Sequence, residues 1–208
     1  PEGQEKWLLD LVLIGTVCDS MKLLGENRRL CFYGLKVLEK TRRPGLKELM
    51  RLSGVKRLDS DAIGFQIGPR LNAAGRMETA EKALELLRAK TRIKAAELAA
   101  ELELLNQQRK KQQNEAVDEI RRRGVGEQKV IVERGDWHEG VLGIIAGRLT
   151  EEYHRPAFAL AECDGILKGS GRSFGDFNLA EALTVCEKYI IGGGGHAEAC
   201  GVKLELER

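Results

Sequence analysis

The chain has 208 residues and a mass of 23.1 kDa, which allows one large domain or two small ones. Apolar residues make up 42% and charged residues 32%, a balance that excludes collagen-like, low-complexity and disulfide-rich proteins. No apolar stretch is long enough to cross a bilayer and no signal-peptide pattern opens the chain, so we expect no membrane interaction. The net charge is only +2, so a site for a polyanion depends on a local arrangement of cations.

The cysteines and the two ends of the chain indicate its context. The five cysteines are widely spaced and include no CxxC pair, which is typical of reduced thiols in a cytoplasmic protein. An apolar run over 7–15 begins abruptly, and an alternating strand pattern at 202–206 ends the chain. Because termini usually lie at the surface, we expect a fragment of a longer cytoplasmic protein.

The first part of the chain predicts helices. Residues 7–40 predict a short buried element, a loop over 15–27 and a helix over 28–40, and 46–53 predict a second helix. The segment 69–76 is expected just before a further helix. From 78 to 123 the pattern is helical, with a break near Lys90 and Thr91, and the narrow apolar seam indicates a helix that joins two parts of the protein.

After residue 128 strands and helices alternate, which predicts a compact α/β domain. Strands are expected at 129–133, 156–162 and 166–173 and at the end of the chain, and helices at 140–153 and 179–190. The four glycines at 192–195 lie between the last helix and the last strand and are expected to form a loop.

Two glycine-rich segments of this α/β domain could bind an anion. Gly193 and Gly194 belong to the loop expected at 192–195, whose N–H groups could surround a phosphate, with His196 as a further donor. The alternative is a flexible loop. Ser170, Arg172 and Ser173 lie among glycines at a strand end and could clamp a phosphate. The alternative there is an arginine that faces solvent on an edge strand.

Three further segments carry polar side chains with weaker signals. Arg70, Asn72 and Arg76 surround small residues and could contact a ligand or stabilise a packing turn. His138 precedes a helix and could contact a phosphate, although helix capping is the commoner role. Asp19 follows an apolar run and could be a metal ligand or a helix cap. One carboxylate cannot hold a catalytic metal, so the residues encode no complete metal site.

Seven segments, taken in order, resemble the RecJ family of DHH phosphoesterases. They are LDLVLIGTVCD (9–19), GENR (25–28), GPRLNAAGR (68–76), WHEGVLGIIA (137–146), GSGRS (169–173), FNL (177–179) and GGGHA (193–197). The resemblance implies an α/β fold with three parts. Residues 1–77 would end a DHH catalytic lobe, 78–127 would form a long helical connector, and 128–208 would form a compact, substrate-binding DHH-associated domain with a mixed sheet.

The resemblance also implies a hydrolase, a single-stranded-DNA-specific 5′-to-3′ exonuclease of DNA repair and recombination. Its chemistry is phosphodiester hydrolysis with Mn²⁺ or Mg²⁺, in which Asp19 would be a metal ligand and so a catalytic residue. The family's other ligands lie upstream, in Asp-x-Asp and Asp-His-His motifs, so we expect this chain to bind the strand without cleaving it. Contacts to phosphates and the 5′ end would come from Arg70, Asn72, Arg76, His138, Ser170, Arg172, Ser173, Gly193, Gly194 and His196.

Two other functions fit part of the pattern. One is an oligonucleotide or cyclic-dinucleotide phosphodiesterase of the same superfamily, and the other is a catalytically inactive nucleic-acid-binding scaffold. The long connector and the segment 68–76 favour a RecJ-type exonuclease, and Asp19 argues against an inactive scaffold. The expected ligand is single-stranded DNA with its 5′ end, and a single-strand-binding protein or a helicase is a candidate protein partner.

Overall fold

A computed structural model describes residues 3–206 of the chain. The chain divides into two compact units, Pro1–Gln107 and Gln108–Arg208, and the division falls inside its longest helix. The division expected from the sequence, at 77/78 and 127/128, stays a prediction. Residues 1, 2, 207 and 208, at the outer ends of the predicted domains, lie outside the described residues.

The first unit is built from helices, as its apolar periodicity predicts. A 3₁₀ turn over Gln4–Leu8 leads into the first helix, and a π-helical turn over Ala62–Ile67 leads into the fourth. The helices are α1 Leu9–Cys18, α2 Gly25–Leu38, α3 Pro44–Ser53, α4 Gly68–Met77, α5 Glu81–Arg88 and the first part of α6 Arg92–Arg123. The break expected near Lys90 and Thr91 is confirmed, because α5 ends and α6 begins on either side of it.

Large aliphatic side chains from these helices form the core of the first unit. Each helix contributes its apolar stripe, and the burial of these side chains is the main source of stability. Those fully buried are Leu13, Leu38, Leu46, Leu49, Ile63, Ile67, Leu86 and Leu102.

The second unit adds a five-stranded sheet to the second part of α6. Its other elements are β1 Ile131–Arg134, α7 Leu142–Tyr153, β2 Ala157–Cys163, β3 Ile166–Arg172, α8 Leu179–Val185, β4 Gly192–Gly195 and β5 Ala199–Leu204. The strand order is β1-β2-β3-β5-β4. Strand β1 is parallel to β2 and the other neighbours are antiparallel, so the expected α/β fold with a mixed sheet is confirmed.

Helix α7 covers part of one face of this sheet. It buries Ile145 and Leu149, and below it the side chains of Ala157, Ala159 and Ala161 on β2 are fully buried. Alanines at alternate positions of a strand point to one face. Their small side chains let the helix come close to the strand.

Local predictions were wrong in four places where glycines or polar residues were read as loops or the end of a helix was misplaced. Residues 15–18 continue α1 and 25–27 begin α2, so the loop is shorter than expected. The segment 68–76 belongs to α4 itself, because Pro69 is tolerated in the first helical turn. The four glycines at 192–195 form β4, and α8 ends at Val185 before a separate 3₁₀ turn. For 192–195, strand pairing with β5 outweighs the local preference of glycine for a loop.

Two general expectations about the chain can also be compared with the structure. Across residues 3–206, no helix has both the length and the hydropathy needed to span a membrane. All five cysteines fall within this range and are free thiols, as their spacing predicts.

A buried carboxylate links two helices of the first unit. Glu48 of α3 accepts a hydrogen bond from Arg51 Nε at 2.7 Å and another from Arg92 Nε, at the start of α6, at 3.0 Å. These two hydrogen bonds hold the pKa of the Glu48 carboxyl below its ordinary value of 4.5. The charged carboxylate is therefore favoured in the folded state.

We expect Glu48→Gln to reduce the pH dependence of stability. Because the folded pKa is lowered, the stabilisation by Glu48 is present above pH 4.5 and is lost as the pH falls below it. Urea unfolding of both proteins at pH 7 and at lower pH should show the parent more stable at pH 7. The difference should shrink on acidification, whereas a difference that is constant with pH would contradict this role for Glu48.

Candidate functional site

One face of the sheet brings together polar and glycine positions from three strands. Ser170 of β3 lies opposite Gly201 of β5, which lies opposite Gly194 of β4. Residues directly opposite in an antiparallel sheet point to the same face, so these positions form one row. In the next row Arg172 lies opposite Ala199. This register joins the two glycine-rich segments that the sequence singled out.

On β4 and the adjoining part of β5, three glycines leave a short stretch of this face without side chains. A Cβ added to Gly192 or Gly194 would meet no atom within 4 Å, and one on Gly201 would meet only the Gly169 carbonyl oxygen at 3.9 Å. We call these three glycines the glycine shelf. Because the space above it is open, a ligand can approach the main chain more closely than over an ordinary strand.

Ser170 and Arg172 stand beside the shelf, on the side where α7 packs. Arg172 Nη1 donates to Ser170 Oγ at 3.2 Å and to the Gly171 carbonyl oxygen at 2.8 Å. Ser170 Oγ donates in turn to the Cys200 carbonyl oxygen at 3.3 Å. Both side chains are half-buried, so they are held in place and still reachable from the shelf. The structure thus brings Ser170 and Arg172 together, and their role as a phosphate clamp stays a prediction.

Among residues 3–206, no acid forms an ion pair with Arg172. Its hydrogen-bond acceptors are the Ser170 hydroxyl and the Gly171 carbonyl oxygen, both neutral. By contrast, Lys168 on the same strand forms ion pairs with Glu139 at 2.7 Å and Asp164 at 3.2 Å. No neighbouring carboxylate therefore offsets the charge of the Arg172 guanidinium, whereas two carboxylates offset the charge of Lys168.

The sequence reasoning missed a second cation beside the shelf, Lys203. It lies opposite Gly192, its side chain is exposed, and within residues 3–206 it makes no ion pair. The alternation of Val202, Lys203 and Leu204 was the available signal, because it directs the lysine to the face of β5 that the buried Val202 does not occupy. It adds an unpaired positive charge at one end of the shelf.

His196 lies in the turn that joins β4 to β5. Its N–H donates to the Ala199 carbonyl oxygen at 2.9 Å, and its Nδ1 accepts from the Glu198 N–H at 3.3 Å. The neutral ring must then carry its proton on Nε2, which leaves a donor at the exposed edge. The prediction that the glycine run forms an anion-binding nest is wrong. None of the glycines at 192–195 has the positive φ that such a nest needs, because they form strand β4.

Ser173 ties this turn to the end of β3. Its N–H donates to the Glu198 carbonyl oxygen at 2.9 Å, and its hydroxyl donates to the Phe177 carbonyl oxygen. The N–H of Leu179, at the start of α8, donates to the Ala197 carbonyl oxygen at 3.0 Å. The structure therefore brings Ser173 and the His196 turn together, with the Ser173 hydroxyl engaged by backbone.

His138 has a local role before α7. Its Nδ1 accepts a hydrogen bond from the Gly140 N–H at 3.1 Å and so caps the 3₁₀ turn Glu139–Val141. Within the part of the chain that the structure describes, no hydrogen bond joins it to Ser170 or Arg172. The capping alternative therefore accounts for its position.

The other polar candidates lie in α4 of the first unit. Arg70 forms an ion pair with Glu103 and donates to the Gln66 carbonyl oxygen at 2.6 Å, so its guanidinium is committed to packing. Asn72 is exposed and Arg76 is half-buried. Four residues apart, they project from one face of the helix. Arg70 therefore has a packing role in the first unit, whereas Asn72 and Arg76 lie together on one face of α4.

Asp19 directly follows α1 as its C-cap residue and is exposed. Its N–H donates to the Gly15 carbonyl oxygen at 3.0 Å. Nowhere in residues 3–206 do three or more His, Cys, Asp or Glu side chains gather in a way that could hold a metal ion. Catalytic metals need several such ligands. The described residues therefore do not fit a complete metal centre, and Asp19 alone cannot supply one.

Comparison with known proteins assigns this chain to a set of relatives. A family model named "DHHA1 domain" matches residues 127–208. The chain is 41% identical to the single-stranded-DNA-specific exonuclease RecJ of Bacillus subtilis, over 96% of this chain and 26% of that protein. It is 37% identical to the RecJ of Escherichia coli, over 97% of this chain and 38% of that protein. The chain thus spans between about a quarter and two fifths of these curated relatives.

Solved structures agree with the sequence comparison. The crystal structure of RecJ in complex with Mg²⁺ from Thermus thermophilus matches with a TM-score of 0.90 and 34% identity, over 99% of this chain and 32% of that one. A crystal structure of an exonuclease RecJ bound to manganese matches with a TM-score of 0.83 and 34% identity, over 99% of this chain and 52% of that one. The likeness therefore extends across both units.

We expect Gly195→Ala to loosen the pairing of β4 with β5, with Gly194→Ala as the matched control. A Cβ at Gly195 would lie 2.2 Å from the Ala199 carbonyl oxygen, whereas one at Gly194 meets nothing within 4 Å. Overpacking costs about 1–3 kcal/mol, so the His196 amide should exchange with solvent roughly tenfold faster or more in Gly195→Ala. Hydrogen exchange by NMR measures this. Equal protection in both variants would contradict the close approach of the two strands.

Proposed function

Since this chain belongs to the RecJ family, we propose that it forms part of a single-stranded-DNA-specific 5′-to-3′ exonuclease and that its second unit holds the strand. The observation that carries the proposal is the glycine shelf, bordered by Ser170 and Arg172. The names of the relatives supply the substrate class, single-stranded DNA. The shelf supplies a place where a phosphodiester backbone fits.

The chemistry of the shelf suits a phosphate better than a base. Phosphate oxygens accept strong hydrogen bonds from guanidinium and hydroxyl groups, and most protein–DNA hydrogen bonds go to the backbone. Arg172 supplies an unbalanced charge, Ser170 helps to hold its guanidinium in place, and His196 supplies an Nε2–H donor. None of these groups reads a base, so we expect binding that depends little on sequence and strongly on salt.

We propose that strand binding and hydrolysis use different parts of the complete protein. Two of the related structures are described as complexes with Mg²⁺ or Mn²⁺, and such an ion supplies activation of water in phosphodiester hydrolysis. In this chain Asp19 is the single residue that the resemblance assigns to the metal, and the described residues do not complete a site. We therefore derive no hydrolytic step from this chain.

The other functions considered from the sequence are less well supported. The curated relatives named above are exonucleases, so neither a cyclic-dinucleotide phosphodiesterase nor an inactive scaffold is favoured. A role in DNA repair and recombination follows from the proposed activity. A cytoplasmic location fits the five free thiols and is part of the proposal. A single-strand-binding protein or helicase partner remains a proposal from the resemblance.

The test is fluorescence anisotropy of this chain with three oligonucleotides: a 5′-phosphorylated single strand, a 5′-hydroxyl single strand and a blunt duplex. We expect the single strands to bind more tightly than the duplex and the 5′ phosphate to improve binding. A parallel incubation with Mn²⁺ should give no cleavage. Equal affinity for all three ligands would contradict the proposed function.

We expect Arg172→Ala to weaken binding of the single strand. A charge-assisted hydrogen bond contributes about 1.5–3 kcal/mol, so the dissociation constant should rise by roughly tenfold to a hundredfold. Arg134→Ala is the matched control. Arg134 lies on β1, the edge strand farthest from β4 and the shelf, and it pairs with Glu162. If both variants bind like the parent chain, Arg172 is not part of the site.

A further inference from the structure

Two glycines of α7 lie along the side chain of Arg172. Gly143 and Gly147 are one helical turn apart, so they point to the same face of the helix. A Cβ at Gly147 would lie 3.9 Å from Arg172 Cγ, near the base of the side chain. A Cβ at Gly143 would lie 3.5 Å from Arg172 Cζ and 2.8 Å from Nη2, at its head. The arginine therefore runs along the helix from Gly147 towards Gly143.

A third residue on the same helix face holds the backbone from which this side chain starts. Thr150 Oγ1 lies 3.4 Å from the Arg172 carbonyl oxygen, to which it donates. Thr150 follows Gly147 by three residues, so it continues the same face of α7. One stripe of the helix thus follows Arg172 from its main chain to its guanidinium.

Neither glycine is required by its backbone conformation. Gly147 lies in the interior of α7, Gly143 lies in its first turn, and neither has a positive φ. Glycine in a helix interior costs about 1 kcal/mol relative to alanine. Gly147 therefore lacks a Cβ at some cost in helix stability. At Gly143 the neighbouring atoms explain the absence, because a Cβ there would also lie 3.0 Å from Ser170 Oγ.

We propose that Gly143 is a positioning residue, which leaves the space where the Arg172 guanidinium is held against Ser170 for a phosphate of the DNA strand. This inference rests on the proposed function. With a methyl group at position 143, Nη2 must move, and the hydrogen bonds from Nη1 to Ser170 Oγ and the Gly171 carbonyl oxygen are lost or lengthened. A guanidinium that is already held in place loses less freedom on binding, so its displacement weakens binding.

Gly143 and Gly147 differ in a way that makes them a matched pair. The methyl group of Gly147→Ala reaches ordinary van der Waals distance from Arg172 Cγ, so nothing needs to move. The methyl group of Gly143→Ala overlaps the far end of a flexible side chain, which can swing away without disturbing the backbone. Both variants should therefore fold, and only Gly143→Ala should change the position of the guanidinium.

The experiment compares the 208-residue chain with Gly143→Ala, Gly147→Ala, Arg172→Ala and the double variant Gly143→Ala/Arg172→Ala. Anisotropy with a 5′-phosphorylated single strand gives the dissociation constants, and thermal unfolding gives Tm. We expect Gly143→Ala to bind at least fivefold more weakly than the parent, with Tm no lower than that of the parent. Gly147→Ala should bind within twofold of the parent. The double variant should bind like Arg172→Ala, because the arginine that Gly143 positions is gone.

The salt dependence provides a readout that a packing role would not change. The slope is that of the logarithm of the association constant against the logarithm of the salt concentration. Each phosphate contact on a single strand adds about 0.7 to the magnitude of this negative slope. We expect that magnitude to fall by about this amount in both Gly143→Ala and Arg172→Ala, and to stay unchanged in Gly147→Ala.

The results separate this inference from the function on which it rests. If Arg172→Ala binds like the parent, the phosphate contact proposed for Arg172 fails. If Arg172→Ala binds weakly and Gly143→Ala binds like the parent, the contact stands and the positioning role is overturned. A further loss of affinity in the double variant would also overturn it, since Gly143 would act independently of Arg172. Unfolding of Gly143→Ala alone would show that Gly143 is needed for backbone packing instead.

Discussion

Strand β3 can sit between its two neighbouring strands only because alternate positions on one of its faces carry no side chain. A Cβ on Gly169 would lie 2.1 Å from Leu160 Cδ2, and one on Gly171 would lie 2.6 Å from Phe158 Cε1. The larger residues opposite thus fill the space above these glycines. Because successive side chains alternate between faces, Ser170 and Arg172 are then directed to the opposite face, where α7 and the glycine shelf lie. The packing of one face fixes the polar groups of the other.

The fold could be predicted where the sequence has a period and was missed where it has none. The apolar spacing located the long helix and its break, and β-branched or alternating runs located the strands. The run 192–195 has no side chains and hence no period, so its strand conformation comes from pairing with β5, which only the fold supplies. Gly68 and Pro69 resemble a break locally, yet the proline occupies a first helical turn in α4.

The candidate site shows the same division. The sequence identified Ser170 and Arg172, because glycines beside hydroxyl and guanidinium groups are a local signal. It could not show that the partner of Arg70 is Glu103, thirty-three residues away, which commits that arginine to packing. It also could not show that Gly143 faces Arg172, since a linear sequence does not reveal which residue a helix glycine packs against. Contacts between distant segments decide which polar residues stay available for a ligand.

Local charge balance explains how a nearly neutral chain could hold the polyanion site that we propose. Many cations in the second unit are paired with nearby acids, for example Arg121 with Glu152 and Lys168 with Glu139. Such exposed pairs contribute little to stability, but they cancel the field that the cations would otherwise produce. Arg172 instead bonds to neutral oxygens, and Lys203 makes no ion pair within the described residues. Two cations without an acid partner among the described residues therefore border the shelf, where the absence of side chains leaves the main chain open to a ligand.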